Sequence, residues 1–278
     1  MFSALVGMRR RRLSRVATAV MLALSVCCVL QTEAHAKSGT AAGVDPEATA
    51  QTGSSVRTLT VGSDISVGDR VITGATGQVQ ILFSDDTRMV VGPDSSLLIQ
   101  DYLLRGDNTV SKFAVKALGG TFRFITGKSP KEAYTINTPA GTIGVRGSAA
   151  DIAIDRESGV VSVVRLEGKI ILCPYDLSTP DHPVKLKCVV LTQVCSTGEI
   201  PPASDAHIIE IEADRLKRTG DLFPYIESQT NLLSRFRVPY ATQCSRPLNP
   251  PAPEKHPGGG EPGSSSNYCE GECCEGCG

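Results

Sequence analysis

Across residues 56–172, apolar and polar side chains alternate in short runs broken by turn residues at intervals of roughly ten, the pattern of an all-β domain. Val79, Ile81 and Phe83 alternate with Gln78, Gln80 and Leu82, then Asp85-Asp86 supplies a turn and Met89 and Val91 return, which predicts a hairpin. In that setting the two aspartates read as turn formers and not as a catalytic carboxylate pair. Phe113, Val115 and Ala117 alternate with Lys112, Ala114 and Lys116 ahead of Gly119-Gly120, and 121–125 follows, which predicts a second hairpin. A third joins 152–154 to 160–166 through the loop 155–159, and 169–172 adds another strand. Trp is absent and Phe and Tyr are few, so Val, Ile and Leu must fill the core.

Outside that region the texture changes. Residues 37–55 are rich in Ala, Gly, Thr and Ser without periodicity, and are expected to form a flexible leader. Residues 173–245 are punctuated by prolines and predict an irregular extension, with strand candidates at 184–194 and 207–211. Between 213 and 237, Leu216, Phe223, Ile226, Leu233 and Phe236 fall near a 3.6-residue period, which predicts an amphipathic helix or, because Pro224 sits inside it, two shorter ones meeting near Phe223. Residues 246–278 are Pro, Gly, Ser and Glu with a cysteine cluster, and are expected to be a disordered tail.

At the N-terminus, Arg9 to Arg12 and Arg15 precede an uncharged apolar run over 16–30 and then Ala34-His35-Ala36, the order of a secretory signal peptide. The expected mature chain begins at Lys37. An uncleaved anchor is the alternative, twin-arginine export stays open, and Val26 is too bulky for lipidation at Cys27. Removing 1–36 lowers Lys+Arg from 28 to 23 and Asp+Glu from 29 to 28, leaving a net charge of −5. That balance argues against nucleic acid as a partner, and no second apolar run of membrane length follows.

The densest motif is Y-T-I-N-T-P-A-G-T-I-G-V-R-G-S-A-A-D-I-A-I at 134–154, where a β-branched run breaks at Pro139 and at Gly141, Gly144 and Gly147. Strand, corner, strand is its reading. With G-D-R-V-I-T-G at 68–74, L-F-S-D-D-T at 82–87 and G-G-T-F-R-F-I-T-G at 119–127, it resembles the FecR-type domain family, the extracytoplasmic sensing domain of iron-dicitrate signalling regulators. The resemblance covers about 59–172. It implies a mainly β domain, a twisted β-solenoid or sandwich-like stack, and a non-catalytic role in binding a protein partner of the cell envelope by strand addition or a β-face contact. Family members that regulate transcription place a cytoplasmic anti-sigma segment and a membrane helix ahead of this domain. Here only the expected signal peptide stands there, which leaves any link to sigma-factor signalling open. The functional expectation is a periplasmic or secreted interaction and sensing module without cofactor. Its alternative is a structural surface protein with a crosslinking or metal-binding tail.

Cys173, Cys188, Cys195 and Cys244 are an even set around the irregular region and read as disulfide staples. Four cysteines allow three pairings; Cys188 with Cys195 and Cys173 with Cys244 is the favoured one. Cys269, Cys273, Cys274 and Cys277 lie close enough to wrap a metal ion, with Glu270, Glu272 and Glu275 adding attraction for a cation, although disulfides are the simpler fate of an exported tail. The triple glycine lacks the lysine of a phosphate loop. Arg146 is the charged residue of that corner, able to bond backbone carbonyls or to contact an anionic ligand or partner. His182, His207 and His256 sit in polar or Pro-rich settings that match no nucleophile or metal motif.

Overall fold

The computed structural model describes residues 37–175, 186–209 and 222–245, and their fifteen strands belong to one hydrogen-bonded sheet. The sheet folds over on itself into two layers. In the first, β3 (Ser55–Leu59) pairs β2 (Ala48–Thr52), and the order continues through β5 (Arg70–Thr73) and β8 (Ser96–Leu104). It then runs through the first half of β9 (Val110–Ile125), β10 (Tyr134–Asn137), β11 (Gly141–Ile154), the second half of β12 (Val161–Pro174) and β13 (Val189–Leu191). The second layer starts with β4 (Asp64–Ser66), β1 (Lys37–Asp45), β6 (Gln78–Phe83) and β7 (Arg88–Val91). It continues through the second halves of β9 and β11, the first half of β12, β14 (Thr197–Ile200) and β15 (His207–Ile209). Among the described strands only β9 and β10 pair in parallel; the other ladders are antiparallel.

Three long strands therefore serve both layers, and each changes layer at a glycine. Gly120 has φ 96°, Gly147 φ 65° and Gly168 φ 68°, conformations that side chains resist. An extra residue in a strand reverses which side chains face the core. Along β9 the core takes Phe113, Val115 and Ala117 before the bend, and Phe122 and Phe124 after it. Along β11 it takes Ile143 and Val145, then Ala150, Ile152 and Ile154; along β12, Val161 and Val163, then Ile170 and Leu172. The inward parity switches at every bend, so one core is lined from both sides. Aromatic contacts cross it: Phe83 of the second layer lies 4.9 Å from Phe113 of the first, and Phe124 lies 5.8 Å from Tyr134.

The mainly β expectation is borne out, with several local corrections. Gly119-Gly120 does not close a hairpin, because 112–117 and 121–125 are two halves of the single bent strand β9. Residues 37–55 are not a flexible leader: they form β1 and β2 and open β3. Their small side chains serve close approach, since a Cβ on Gly39 would lie 2.8 Å from the Leu82 carbonyl oxygen. The motif 134–154 turns twice, between β10 and β11 and again at the Gly147 bend, whereas Gly144 lies within regular pairing opposite Ile171.

Past β15 the described chain resumes at Leu222 as a segment of little regular structure. Pro224 starts a four-residue helix α1 (Pro224–Glu227) instead of interrupting a long one, and 3-10 turns follow at Ser234–Phe236 and Ala241–Ser245. Much of the predicted 213–237 helix is thus replaced by turns and extended chain; its first part lies outside the described residues. Of the apolar spacing that suggested a helix, Phe223, Ile226 and Phe236 are buried on the outer face of the second layer beside Tyr225 and Leu232, whereas Leu233 is 44% exposed.

Candidate functional site

Two of the buried polar clusters among the described residues tie distant elements together, besides the smaller one in which Asp69 accepts from Thr52, Arg57 and the Ser66 amide. The first is at the turn from β6 to β7. Asp86 takes the exposed left-handed turn position with φ 64°, while Asp85 points inward and is fully buried. One Asp85 carboxylate oxygen accepts hydrogen bonds from Thr87 Oγ1 at 2.8 Å, Ser129 Oγ at 2.7 Å and Tyr134 Oη at 2.9 Å. The other accepts from the Thr87 amide at 3.2 Å and Tyr102 Oη at 3.3 Å. Burial pushes the Tyr102 and Tyr134 hydroxyls up, and the Asp85 charge adds to it, so both remain donors. A carboxylate filled by five donors has no lone pair aimed at a reactant. It ties a turn to β8 and β10, a larger part than the turn-former role read for it.

The second cluster lies on the outer face of the second layer, beneath residues 222–245. Arg123 and Asp151 stand opposite each other on β9 and β11, with side chains 0% and 1% exposed. The guanidinium meets the carboxylate in a fork, Nε to Oδ1 at 2.6 Å and Nη2 to Oδ2 at 2.7 Å. Its remaining donors reach the covering segment: Nη1 to Gln229 Oε1 at 2.5 Å and Nη2 to the Tyr225 carbonyl at 3.0 Å, with the Tyr225 ring 5.4 Å away. Burial pushes the Asp151 carboxyl up, against the pull of Arg123. Gln80 of β6 treats the covering segment as a neighbouring strand, donating to the Asn231 carbonyl at 3.2 Å and accepting from the Leu233 amide at 2.8 Å. Arg88 donates to the Arg235 carbonyl at 2.7 Å. Sequence reasoning passed over this network. Its signals were a charged residue between Phe122 and Phe124, and Asp151 inside the apolar run A-A-D-I-A-I.

The four staple cysteines are paired, as Cys173–Cys188 and Cys195–Cys244. The favoured connectivity is thereby corrected. Ladder register decides it: Leu172 pairs Val189 between β12 and β13, which sets Cys173 beside Cys188 with Cα atoms 4.3 Å apart. Cys195 sits in a left-handed turn whose amide bonds the Arg165 carbonyl, on the face where residues 222–245 arrive, and there it meets Cys244. Cys269, Cys273, Cys274 and Cys277 lie outside the described residues, as do His182 and His256. Arg146 donates from Nη1 to the Lys131 carbonyl at 2.8 Å, a backbone contact within the fold. His207, on β15, approaches Glu199 at 3.7 Å. Neither Arg146 nor His207 is brought to these two clusters, and no group of metal-ligating side chains occurs among the described residues. Nor, among them, is any helix long and apolar enough to cross a membrane.

Several sheet edges lie at the surface of the described residues. Among the described residues β3 pairs only with β2 and has no strand on its other side, and its first four residues are exposed, Val56 to 62%. β4, β13 and β15 are also terminal, but each has three residues.

Residues 69–170 match the family model described as FecR protein, which bears out the resemblance carried by the motifs between 68 and 154. No curated protein matches the sequence. Among solved structures, a candidate anti-sigma factor from Parabacteroides distasonis, determined at 1.65 Å, is similar at 11% identity with a TM-score of 0.39, covering 53% of this chain and 62% of that one. A second structure so described from the same organism, at 2.50 Å, gives 12% identity and a TM-score of 0.38 over the same shares. The chain spans under two-thirds of the length of these solved chains.

Proposed function

With a FecR match over residues 69–170 as the premise, we propose that this chain is a non-catalytic interaction and sensing module that works outside the cytoplasm, in the periplasm or beyond the cell, on a protein partner of the envelope. The family match carries the reading. Two disulfides support the compartment, since such bonds persist where thiols are oxidised. The open edge of β3 is the docking element: five residues with one unpaired side accept an added strand, and exposed Val56 gives that strand an apolar contact.

Crosslinking in intact cells, followed by mass spectrometry, tests it. The expected outcome is a mature chain starting at or near Lys37, recovered outside the cytoplasm, joined through residues around β3 to one discrete envelope protein. Val56→Asp should abolish that capture while leaving the melting temperature unchanged. Recovery of the bulk protein in the cytosol with Met1 retained refutes the compartment. Capture unaffected by Val56→Asp refutes the edge.

A further inference from the structure

The segment 222–245 lies outside the FecR match, yet it covers a face that the match itself builds. On that face lie Val90, Ile125, Ala149, Val164 and Leu166, together with the Arg123–Asp151 pair, all buried by or beside the cover. The cover has almost no structure of its own. One four-residue helix and two short 3-10 turns leave its order dependent on side-chain contacts and on its tether. That tether, Cys195–Cys244, spans a sequence separation of 49, against 15 for Cys173–Cys188, so it removes the larger share of chain freedom.

The chemistry beneath the cover is equally informative. A permanent cap is best served by apolar residues, because replacing a buried ion pair with hydrophobic side chains is commonly neutral or stabilising. Arg123 and Asp151 instead suit a face that is alternately covered and wet. Covered, Gln229 and the Tyr225 carbonyl satisfy the guanidinium; uncovered, water does, and the charges interrupt what would otherwise be an apolar patch.

We infer that residues 222–245 form a strap latched by the Cys195–Cys244 disulfide, and that thiol–disulfide exchange at this bond uncovers the Arg123–Asp151 face while the two-layered sheet stays folded. The reductant is a dithiol. Its thiolate attacks Cys244 Sγ, breaking the bond to Cys195, which leaves as a thiolate. The second thiol of the reductant then resolves the mixed disulfide and frees Cys244, so the dithiol gives two electrons and departs as a disulfide. Both cysteines are nearly buried, but a surface groove of about 320 Å³ opens onto Cys244 between Leu166, Val194 and Tyr240 and gives the thiolate its approach. The latch goes beyond the sensing role proposed above and does not depend on the identity of any partner.

The test uses the full mature chain in three forms: wild type, Cys195→Ser/Cys244→Ser and Cys173→Ser/Cys188→Ser. Hydrogen exchange is read by mass spectrometry, and arginine accessibility by phenylglyoxal modification of Arg123. In the first variant, amide protection across 222–245 should fall by about tenfold or more and Arg123 should become reactive, while β9 and β11 core amides keep their protection. Wild type treated with dithiothreitol should behave alike and recover on reoxidation; the second variant should keep its strap protected and Arg123 unreactive. Retained strap protection without the 195–244 bond overturns the latch. Loss of protection throughout the sheet also overturns it, since the segment is then part of the fold and not a movable strap.

Discussion

Asp85 shows how much one side chain can hold. Removing its carboxylate leaves Thr87, Ser129 and Tyr134 hydroxyls and the Thr87 amide without their acceptor in a buried site, so Asp85→Ala should cost about 3 kcal/mol or more. Its neighbour Asp86 is exposed, with a surface ion pair to Lys128 at 2.7 Å, and Asp86→Asn should change stability by about 0.5 kcal/mol or less. Urea midpoints of the two variants separate these outcomes. The sequence offered Asp85-Asp86 as an equivalent pair in a turn, and that much was right. What distinguishes them is supplied by Tyr102, Ser129 and Tyr134, which no local pattern connects to residue 85. The glycines divide similarly. At Gly147 a positive φ and a Cβ only 2.7 Å from Lys131 Cε should make Ala cost about 1 to 2 kcal/mol, whereas at Gly144 the nearest atom is at 3.7 Å and Ala should fall within about 0.5 kcal/mol. Thermal or chemical melts of both variants check the contrast, which the even spacing of Gly141, Gly144 and Gly147 conceals.

Elements were legible where alternation was strong. The β6–β7 and β11–β12 hairpins stand where the period-two runs predicted them, because a half-buried strand must alternate. β9 was misread as a hairpin because a glycine bend between two alternating runs looks the same whether the chain reverses or continues; only the neighbours decide. β1 and β2 were missed since Ala, Gly, Thr and Ser carry no hydrophobic signature even when their smallness is what lets strands close up. Disulfide pairing depended on register between β12 and β13, which cysteine spacing does not encode. With pairing known, their worth can be ranked. By loop-closure entropy, replacing Cys173 and Cys188 with Ser should cost about 3 kcal/mol and replacing Cys195 and Cys244 about 4 kcal/mol, measurable as shifts in denaturation midpoint. Equal or inverted costs would show that native-state effects, strain or release of the strap, outweigh chain entropy.

At the scale of the whole molecule, the family-matched region and its described flanks share one sheet: β1 to β4 precede the match, β13 to β15 follow it, and all extend the same hydrogen-bonded array. The organisation of that array was only partly readable, since alternation reveals strands but not the layer to which each half of a strand belongs. The three glycine bends have a consequence for how this array comes apart. Layers joined by loops can melt one after the other, but here β9, β11 and β12 run unbroken through both, so losing either layer strips partners from the strands of its neighbour. Unfolding should be a single cooperative transition, with the slowest-exchanging amides of β8 in one layer and β7 in the other reporting the same opening free energy by native-state hydrogen exchange. Two separable transitions would contradict it. Refolding must also wait for contacts distant in sequence, which favours slow kinetics. Load applied to an edge of one layer passes to the other through covalent backbone at Gly120, Gly147 and Gly168, so a pull on β3 is carried to the far layer by peptide bonds as well as by packing.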